Sequence, residues 1–94
     1  SLTFEQPDVK TFRNLQLAYN ALAKGGNAPC VLNAANEIVV EAFLNDKIGF
    51  LQMSDVIEET LEKTEYIPKP SLEDYIETDN RAREITKSLI KQNK

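Results

Sequence analysis

The segment "APCVLNAANEIVVEAFLND", residues 28–46, constrains the fold of this chain more than any other part of the sequence. It is the longest apolar segment, and Pro29 suits the first turn of a helix. Plotted at about 100° per residue, one broad arc of that helix is apolar and must form the core. The residues of this arc are Val31, Leu32, Ala35, Ile38, Val39, Ala42 and Phe43. The segment therefore predicts a long helix, from about Asn27 to Asn45 or Asp46, that supplies the core of a bundle.

A first helix is predicted before this segment, and it ends at a pair of glycines. It begins at about Asn14, and its apolar residues follow a spacing of three and four. The residues with this spacing are Leu15, Ala18, Tyr19 and Leu22. Gly25 and Gly26 then stop the helix, as a left-handed cap would. Residues 1–13 mix Pro7 with apolar anchors and show no sustained helical period, so they are expected to form an extended lead-in.

Two more helices are predicted after the central one. A loop over residues 48–51 comes first, and Ser54 is then a good N-cap for a third helix that ends near Tyr66. Ser71, with Asp74 three residues later, resembles a capping box at the start of a short turn. A last helix then places apolar residues and a threonine along one side, namely Ala82, Ile85, Thr86, Leu89 and Ile90.

These helices define the predicted architecture. No stretch alternates with period two over the length of a strand, and the chain has no internal repeat. The fold class is therefore all-α, a small bundle of four main helices joined by short to medium connections. We expect residues 1–13 to be the lead-in and residues 14–94 to form the bundle as a single domain.

Composition excludes several classes of function. Histidine is absent and Cys30 is the only cysteine. Zinc sites of the usual kinds, Ser-His-Asp triads and Cys-His pairs therefore cannot be assembled, which removes most hydrolase chemistry. The net charge of −4 and the pI near 4.8 oppose non-specific binding to nucleic acid. No apolar run approaches membrane-spanning length and no signal peptide is visible, so a soluble domain without nucleic-acid or membrane partners is expected.

Asn33, Asn36 and Glu37 lie outside the apolar arc, on a side of the central helix that also carries Val40 and Leu44. One interpretation places Asn33 in the first turn, satisfying free backbone donors, with Asn36 and Glu37 facing water. The other is a docking face, in which the two amides hydrogen-bond a neighbouring loop or domain. The pattern does not choose between these two. A catalytic role is disfavoured, because asparagine has no titratable proton and a lone carboxylate lacks the partners that general acid/base chemistry needs.

Two features near the start of the central helix invite a functional interpretation. Gly25-Gly26-Asn27 resembles part of a phosphate loop, but it has no GxGxxG pattern, no P-loop lysine and no preceding strand. Helix termination is favoured over phosphate binding by roughly ten to one. Cys30 lies in a first helical turn, where the helix dipole can acidify a thiol. It has no basic neighbour in sequence, so a small buried side chain is the favoured interpretation.

The third and last predicted helices carry opposite charges. The acidic residues are Glu58, Glu59, Glu62 and Glu65, and the basic residues are Arg81, Arg83, Lys87 and Lys91. A metal site built from the glutamates would need the Glu-x-x-His pairs of di-iron bundles, which are missing, so a solvated face is favoured. The complementary signs indicate that the two helices lie side by side or meet partner surfaces. A nucleic-acid role for the basic end is disfavoured, because no aromatic residue follows Tyr75.

Three stretches together resemble one known family. They are "LTFEQPD", "APCVLNAANEIVVEAFL" and "DNRAREI", and the similarity extends over nearly the whole chain. The family is the C-terminal domain of 1-deoxy-D-xylulose 5-phosphate reductoisomerase. The resemblance implies a parent enzyme that converts 1-deoxy-D-xylulose 5-phosphate to 2-C-methyl-D-erythritol 4-phosphate, in the non-mevalonate route to isoprenoids. It also implies that the parent uses NADPH and a divalent metal, Mg²⁺ or Mn²⁺, and is a homodimer of the bacterial cytoplasm or of a plastid.

Within that family this chain corresponds only to the last of three parts, after an NADPH-binding domain and a central catalytic domain. None of the family's catalytic, cofactor-binding or metal-binding motifs has a counterpart here, so the resemblance assigns no such residue. Our principal hypothesis is a noncatalytic domain that supports its own catalytic and NADPH-binding domains. Its proposed docking face consists of Asn33, Asn36, Glu37, Val40 and Leu44. The alternative is a stand-alone helical module for protein–protein interaction.

Overall fold

The computed structural model describes residues 9–92 of the chain, and this part folds into four α-helices. The helices are α1 Val9–Lys24, α2 Ala28–Leu44, α3 Phe50–Lys63 and α4 Leu72–Gln92. Between residues 9 and 92 there is no strand. The prediction of an all-α bundle with four main helices is therefore confirmed, and α2 agrees with its predicted bounds to within two residues.

The helices alternate in direction along the chain. Arg13 near the start of α1 bonds Asp55 near the start of α3, and the Tyr66 hydroxyl just after α3 donates to the carbonyl of Lys24. These two contacts show that α1 and α3 run parallel. Cys30 near the start of α2 lies beside Tyr75 near the start of α4, and Glu37 further along α2 meets Arg83 further along α4, so those two helices also run parallel to each other. Within the described residues α2 and α3 each contact all the other helices, whereas α1 and α4 do not touch.

The core lies around α2, as its broad apolar arc predicts. Its main cluster of buried residues draws on all four helices and on one residue of the α2–α3 connection. The cluster contains Leu17, Ala35, Ile38, Val39, Ala42, Ile48, Met53, Val56, Ile57, Leu89 and Ile90. A smaller cluster joins α2 and α4 through Val31, Ala34 and Ala82. Phe43 departs from the prediction, because it lies partly exposed at the edge, with its ring centroid 5.8 Å from that of Phe50.

A pair of threonines places polar atoms inside this core without leaving them unsatisfied. Thr60 and Thr86 are fully buried, and their hydroxyl oxygens lie 3.0 Å apart. Each hydroxyl also lies within hydrogen-bonding distance of a carbonyl one turn earlier, Val56 for Thr60 and Ala82 for Thr86. Over the described residues, every buried side-chain nitrogen and oxygen has a hydrogen-bond partner. The interface of α3 with α4 is thus polar at its centre at little cost in desolvation.

The first helix is longer than predicted. It begins at Val9, so residues 9–13 are helical and the predicted extended lead-in does not reach Asn14. The physical reason is that the spacing of three from Val9 to Phe12 to Leu15 continues the helical period, and no residue between them breaks a helix. Residues 1–8, the rest of the predicted lead-in, lie outside the described residues.

The third helix also begins earlier than predicted, and Ser54 is not its N-cap. α3 begins at Phe50 after Gly49, whose N–H donates to the side-chain oxygen of Gln52 at 2.9 Å. That bond satisfies a backbone donor at the helix start, so a glutamine three residues into the helix replaces the expected serine. Ser54 is instead buried inside α3, and its hydroxyl donates to the side-chain oxygen of Asn14 at 2.5 Å.

The remaining helix boundaries follow the predicted signals. Gly25 and Gly26 end α1 with positive φ values of 72° and 58°, which confirms helix termination. Ser71 and Asp74 form the predicted capping box. The Asp74 N–H donates to the Ser71 hydroxyl at 3.1 Å, and the Ser71 N–H donates to the Asp74 carboxylate at 3.0 Å. This box starts α4 itself rather than a separate short turn, because the helix continues without a break to Gln92.

Candidate docking surface

The polar residues predicted for the docking face are divided by the structure. Asn33 and Glu37 belong to a chain of hydrogen bonds that joins α2 to α4. The Asn33 amide donates to one Glu37 carboxylate oxygen at 3.3 Å, and Arg83 donates to the other at 2.8 Å. Arg83 also donates through Nε to Asp79 at 3.0 Å, one turn earlier on α4. Glu37 is therefore already bound within the domain.

This network brings together two of the three stretches that carry the family resemblance. Glu37 comes from the NAANE part of α2, and Asp79 and Arg83 come from DNRAREI. Hydrogen bonds from Asp79 first and from Glu37 second raise the pKa of the Arg83 guanidinium above its already high value, so Arg83 stays charged. The sequence analysis did not identify these partners of Glu37. The available signal was the i,i+4 spacing of Asp79 and Arg83, which is typical of an ion pair on a helix.

Asn36, Val40 and Leu44 remain available on the outer side of α2. Asn36 is exposed beside a groove between α1 and α2, and its side-chain amide has no hydrogen-bond partner among the described residues. Val40 is 38% exposed and Leu44 74% exposed. The structure thus separates the five predicted residues into a polar pair bound to α4 and an amide with two apolar side chains that face outward.

Asn27 holds together the start of α2 and the connection between α3 and α4, a role that sequence reasoning missed. It is fully buried, and its amide donates to the Glu65 carbonyl at 2.8 Å and to the Thr78 hydroxyl at 3.1 Å. Its side-chain oxygen accepts from the Ile67 N–H at 2.8 Å. All of this bonding is long-range, so no local sequence signal marks Asn27 beyond its position before Pro29.

The glycine turn next to Asn27 is blocked on its Gly26 side. A Cβ atom at Gly26 would overlap the carbonyl oxygen of Ile67 and lie 2.9 Å from Cα of Pro68. The turn therefore lies directly against the α3–α4 connection, and no space for a phosphate group remains on that side of it. Gly26 is needed for its positive φ and for this close approach between two backbone segments.

The surroundings of Cys30 disfavour the thiolate form of its side chain. It is partly buried, and its Sγ lies 3.6 Å from the Tyr75 carbonyl oxygen. Burial raises the pKa of this thiol, and the nearby charge of Asp79 raises it further, whereas Arg83 lowers it. A raised pKa leaves less thiolate at neutral pH, so the idea of a dipole-acidified nucleophile has no support.

The opposite charges of α3 and α4 bind other helices rather than each other. Arg13 of α1 donates to Asp55 at 2.6 Å and also to Glu58, and these bonds raise the pKa of Arg13. Arg83 of α4 reaches α2, as described above. The two helices do pack side by side, but no ion pair between them occurs in the described part of the chain. In the same part, no group of three or more potential ligand side chains could hold a metal ion.

The apolar residues whose spacing predicted α1 do not all face the core. Leu15, Tyr19 and Leu22, three of the four residues with the spacing of three and four, are exposed. α1 packs through Leu17 and Ala21, on the opposite side of the helix. The spacing predicted the helix, but it did not indicate which side of the helix is buried.

The described helices include none that is long and apolar enough to cross a membrane. Residues 1–85 match the family model described as the DXP reductoisomerase C-terminal domain.

Individual relatives agree with this match. The 1-deoxy-D-xylulose 5-phosphate reductoisomerase of Phocaeicola vulgatus is 63% identical over 89 residues, which cover 95% of this chain and 23% of that protein. The protein of the same name from Thermoanaerobacter is 52% identical over 83 residues, or 88% of this chain and 22% of that protein. A solved structure of the reductoisomerase from Zymomonas mobilis in complex with NADPH aligns with a TM-score of 0.80 and 44% identity. It covers 96% of this chain and 24% of the neighbour. The chain therefore spans about a quarter of the length of the relatives that it matches.

Proposed function

The chain belongs to the family of DXP reductoisomerase C-terminal domains, and from that premise we propose that it supports the catalytic part of a larger reductoisomerase. The observation that carries the proposal is the combination of a well-built helical bundle with an outward-facing surface that has no chemistry of its own. Two arginines of the bundle are engaged in ion pairs between its helices, Arg13 with α3 and Arg83 with α2. Its role would be mechanical, to hold the shape of the parent enzyme.

The proposed parent reaction is the one named by the relatives. The full-length protein would rearrange and reduce 1-deoxy-D-xylulose 5-phosphate to 2-C-methyl-D-erythritol 4-phosphate with NADPH. The neighbour from Zymomonas mobilis was solved in complex with NADPH, which supports this choice of cofactor. The parent would also use Mg²⁺ or Mn²⁺, act as a homodimer and reside in the cytoplasm, as expected for its bacterial relatives.

The residues described here do not fit either NADPH or the metal. The glycine turn lies against Ile67 and Pro68 on its Gly26 side and lacks a GxGxxG pattern, and the described residues contain no cluster of potential metal ligands. No step of the reaction is therefore assigned to this domain. Both groups would be bound by the parts of the parent that this chain does not contain.

The proposed docking face on α2 consists of Asn33, Asn36, Glu37, Val40 and Leu44. Asn36 and the two exposed apolar side chains would contact the neighbouring domain directly. Asn33 and Glu37 would act differently, because their bonds to each other and to Arg83 fix the orientation of α4 beside that face. Membership of the family disfavours the stand-alone interaction module as an alternative.

The experiment that tests this function follows NADPH oxidation with 1-deoxy-D-xylulose 5-phosphate and Mg²⁺. It compares this chain, the full-length protein and the full-length protein truncated before residue 1. We expect no turnover by the chain alone, turnover by the full-length enzyme and impaired turnover after truncation, because the catalytic part would lose its support. Turnover by the chain alone, or full activity of the truncated enzyme, would overturn the proposal.

A second experiment tests the docking face, with a substitution on α1 as its control. In the full-length enzyme, Asn36→Ala is expected to lower the thermal midpoint, because it removes an amide from the interdomain contact. The control is Asn20→Ala, which removes an exposed amide beside the groove between α1 and α3, where it is bonded only to Gln16 one turn away among the described residues. Equal, negligible effects of the two substitutions would mean that Asn36 merely faces water.

A further inference from the structure

The outer side of α1 carries three large exposed side chains in one stripe. Leu15 is 50% exposed, Tyr19 63% and Leu22 64%, and they follow one another at spacings of four and three. We call these three residues the α1 stripe. Such spacing places them on one face of the helix, so they form a continuous patch rather than scattered apolar residues.

Within the part of the chain that the structure describes, no helix covers the α1 stripe. α1 contacts only α2 and α3, and it does so through the side that carries Leu17 and Ala21. Ala18, on the flank of α1, borders the groove beside Leu32 and Asn36 of α2. The stripe lies beyond that flank, and it turns away from the described core.

The helix around the stripe is also unusual in its lack of charge. Residues 14–23, "NLQLAYNALA", contain no acidic or basic side chain over ten positions of a surface helix. The charges at the two ends are already engaged, since Arg13 is paired with Asp55 and the Lys24 ammonium lies 4.4 Å from the centre of the Tyr66 ring. Depletion of charge around large apolar and aromatic residues is the composition of the buried centre of a protein interface.

We propose that the α1 stripe docks against the catalytic part of the same polypeptide and forms the apolar centre of the interdomain contact. The inference rests on the proposed function, and it adds a second surface to the docking face on α2. The rest of the parent is the favoured occupant because the chain makes up only 23% of its relatives' length, so most of each relative lies in the same polypeptide outside this domain. Covalent connection gives such a partner a far higher effective concentration than a second molecule has.

The test introduces the same charge at two positions of α1 in the full-length enzyme. Leu22→Glu places a carboxylate in the stripe, and Asn20→Glu places the same carboxylate at an exposed position that is neither three nor four residues from any member of the stripe. The two variants gain the same side chain two residues apart, so they place it on different sides of α1.

For Leu22→Glu we expect calorimetry of the full-length enzyme to show a midpoint lower by at least about 3 °C, with the domain transitions separated, because a charge would be buried at the contact. Asn20→Glu should keep the midpoint and the shape of the parent transition. Circular dichroism should give the same helix content for both, since neither side chain is needed in the core.

Equal midpoints for the two variants would overturn the proposal. A Leu22→Glu variant that changes only the number of subunits, measured by sedimentation, would also overturn it, because the stripe would then bind a second copy. The outcome is separable from the test of function. If truncation before residue 1 left turnover unchanged, the supporting role would fail, while the calorimetric difference between the two glutamates would still report whether the stripe is buried.

Discussion

The outer sides of α1 and α3 differ sharply, although the two helices run parallel and both pack on α2. α1 presents Leu15, Tyr19 and Leu22, with no charged residue between positions 14 and 23. The outer side of α3 carries charges at Asp55, Glu59, Glu62 and Lys63, and its exposed large apolar residues occur only at its start, at Phe50 and Leu51. The outer side of α3 is therefore suited to water, whereas the outer side of α1 is suited to contact with protein.

The difference separates two kinds of sequence signal. The polar NAANE segment is the most distinctive motif of the sequence, yet Asn33 and Glu37 form hydrogen bonds within the domain. α1 has an ordinary composition, and its outer side is recognised only once the structure shows which of its two apolar sides is buried. A surface for a partner is therefore better identified by what the fold leaves apolar and uncharged than by which motif stands out.

The largest expected effect comes from a change in the glycine turn that ends α1 and packs against the connection after α3. Gly26→Ala should destabilise the chain by about 3 kcal/mol or more, because a positive φ is combined with a Cβ overlap on the Ile67 carbonyl. Gly25→Ala is the matched control, since it has a similar φ but nothing within 4 Å of its Cβ. It should cost only about 1 to 2 kcal/mol. Urea denaturation of both variants measures the difference, and similar losses would show that the α3–α4 connection does not confine Gly26.

A smaller effect is expected from separating α1 from α3 without altering either outer side. Arg13→Gln removes the described ion pairs between these helices, those with Asp55 and Glu58. Because the groups are partly exposed, the loss should be about 0 to 1 kcal/mol, and it should shrink as salt is raised from low to high concentration. Urea denaturation at two ionic strengths measures this loss. A loss above about 2 kcal/mol that is independent of salt would indicate a packing role for the Arg13 stem instead.

The smallest effect is expected on the outer side of α3. Glu62→Gln should change the free energy of unfolding by less than about 0.5 kcal/mol and should leave turnover of the full-length enzyme unchanged, because Glu62 is exposed and makes no ion pair within residues 9–92. A clear loss of turnover from this substitution would remove the contrast between the two helices, since it would place a functional contact on the acidic side.

Sequence reasoning predicted the parts of the fold that depend on local pattern. The apolar arc of α2, the glycine stop after α1 and the capping box of Ser71 with Asp74 are all visible within a few residues of one another. The start of α3 was missed because Ser54 has the chemistry of an N-cap, but its hydroxyl is used by Asn14. Here a tertiary contact decided the role of a residue whose local preference pointed elsewhere.

The candidate surface was less predictable, because it depends on which side of each helix is buried. From the sequence alone, Glu37 had no assigned partner on another helix. In the structure it bonds Arg83 of α4, which lies far along the chain. The spacing of Leu15, Tyr19 and Leu22 predicted the helix α1, but it did not indicate that Leu17 and Ala21 form the buried side. Both points concern the packing of helices, which periodicity alone does not determine.

Covalent surface labelling in this chain and in the full-length enzyme tests the central claim most directly. Hydroxyl radicals report on Tyr19 of the α1 stripe, and carbodiimide coupling reports on Glu62 of the outer side of α3 as the reference. We predict that labelling of Tyr19 falls several-fold in the full-length enzyme while labelling of Glu62 stays the same. Unchanged labelling of Tyr19, or an equal fall at both residues, would contradict the claim that the parent enzyme covers the α1 stripe and leaves the outer side of α3 in water.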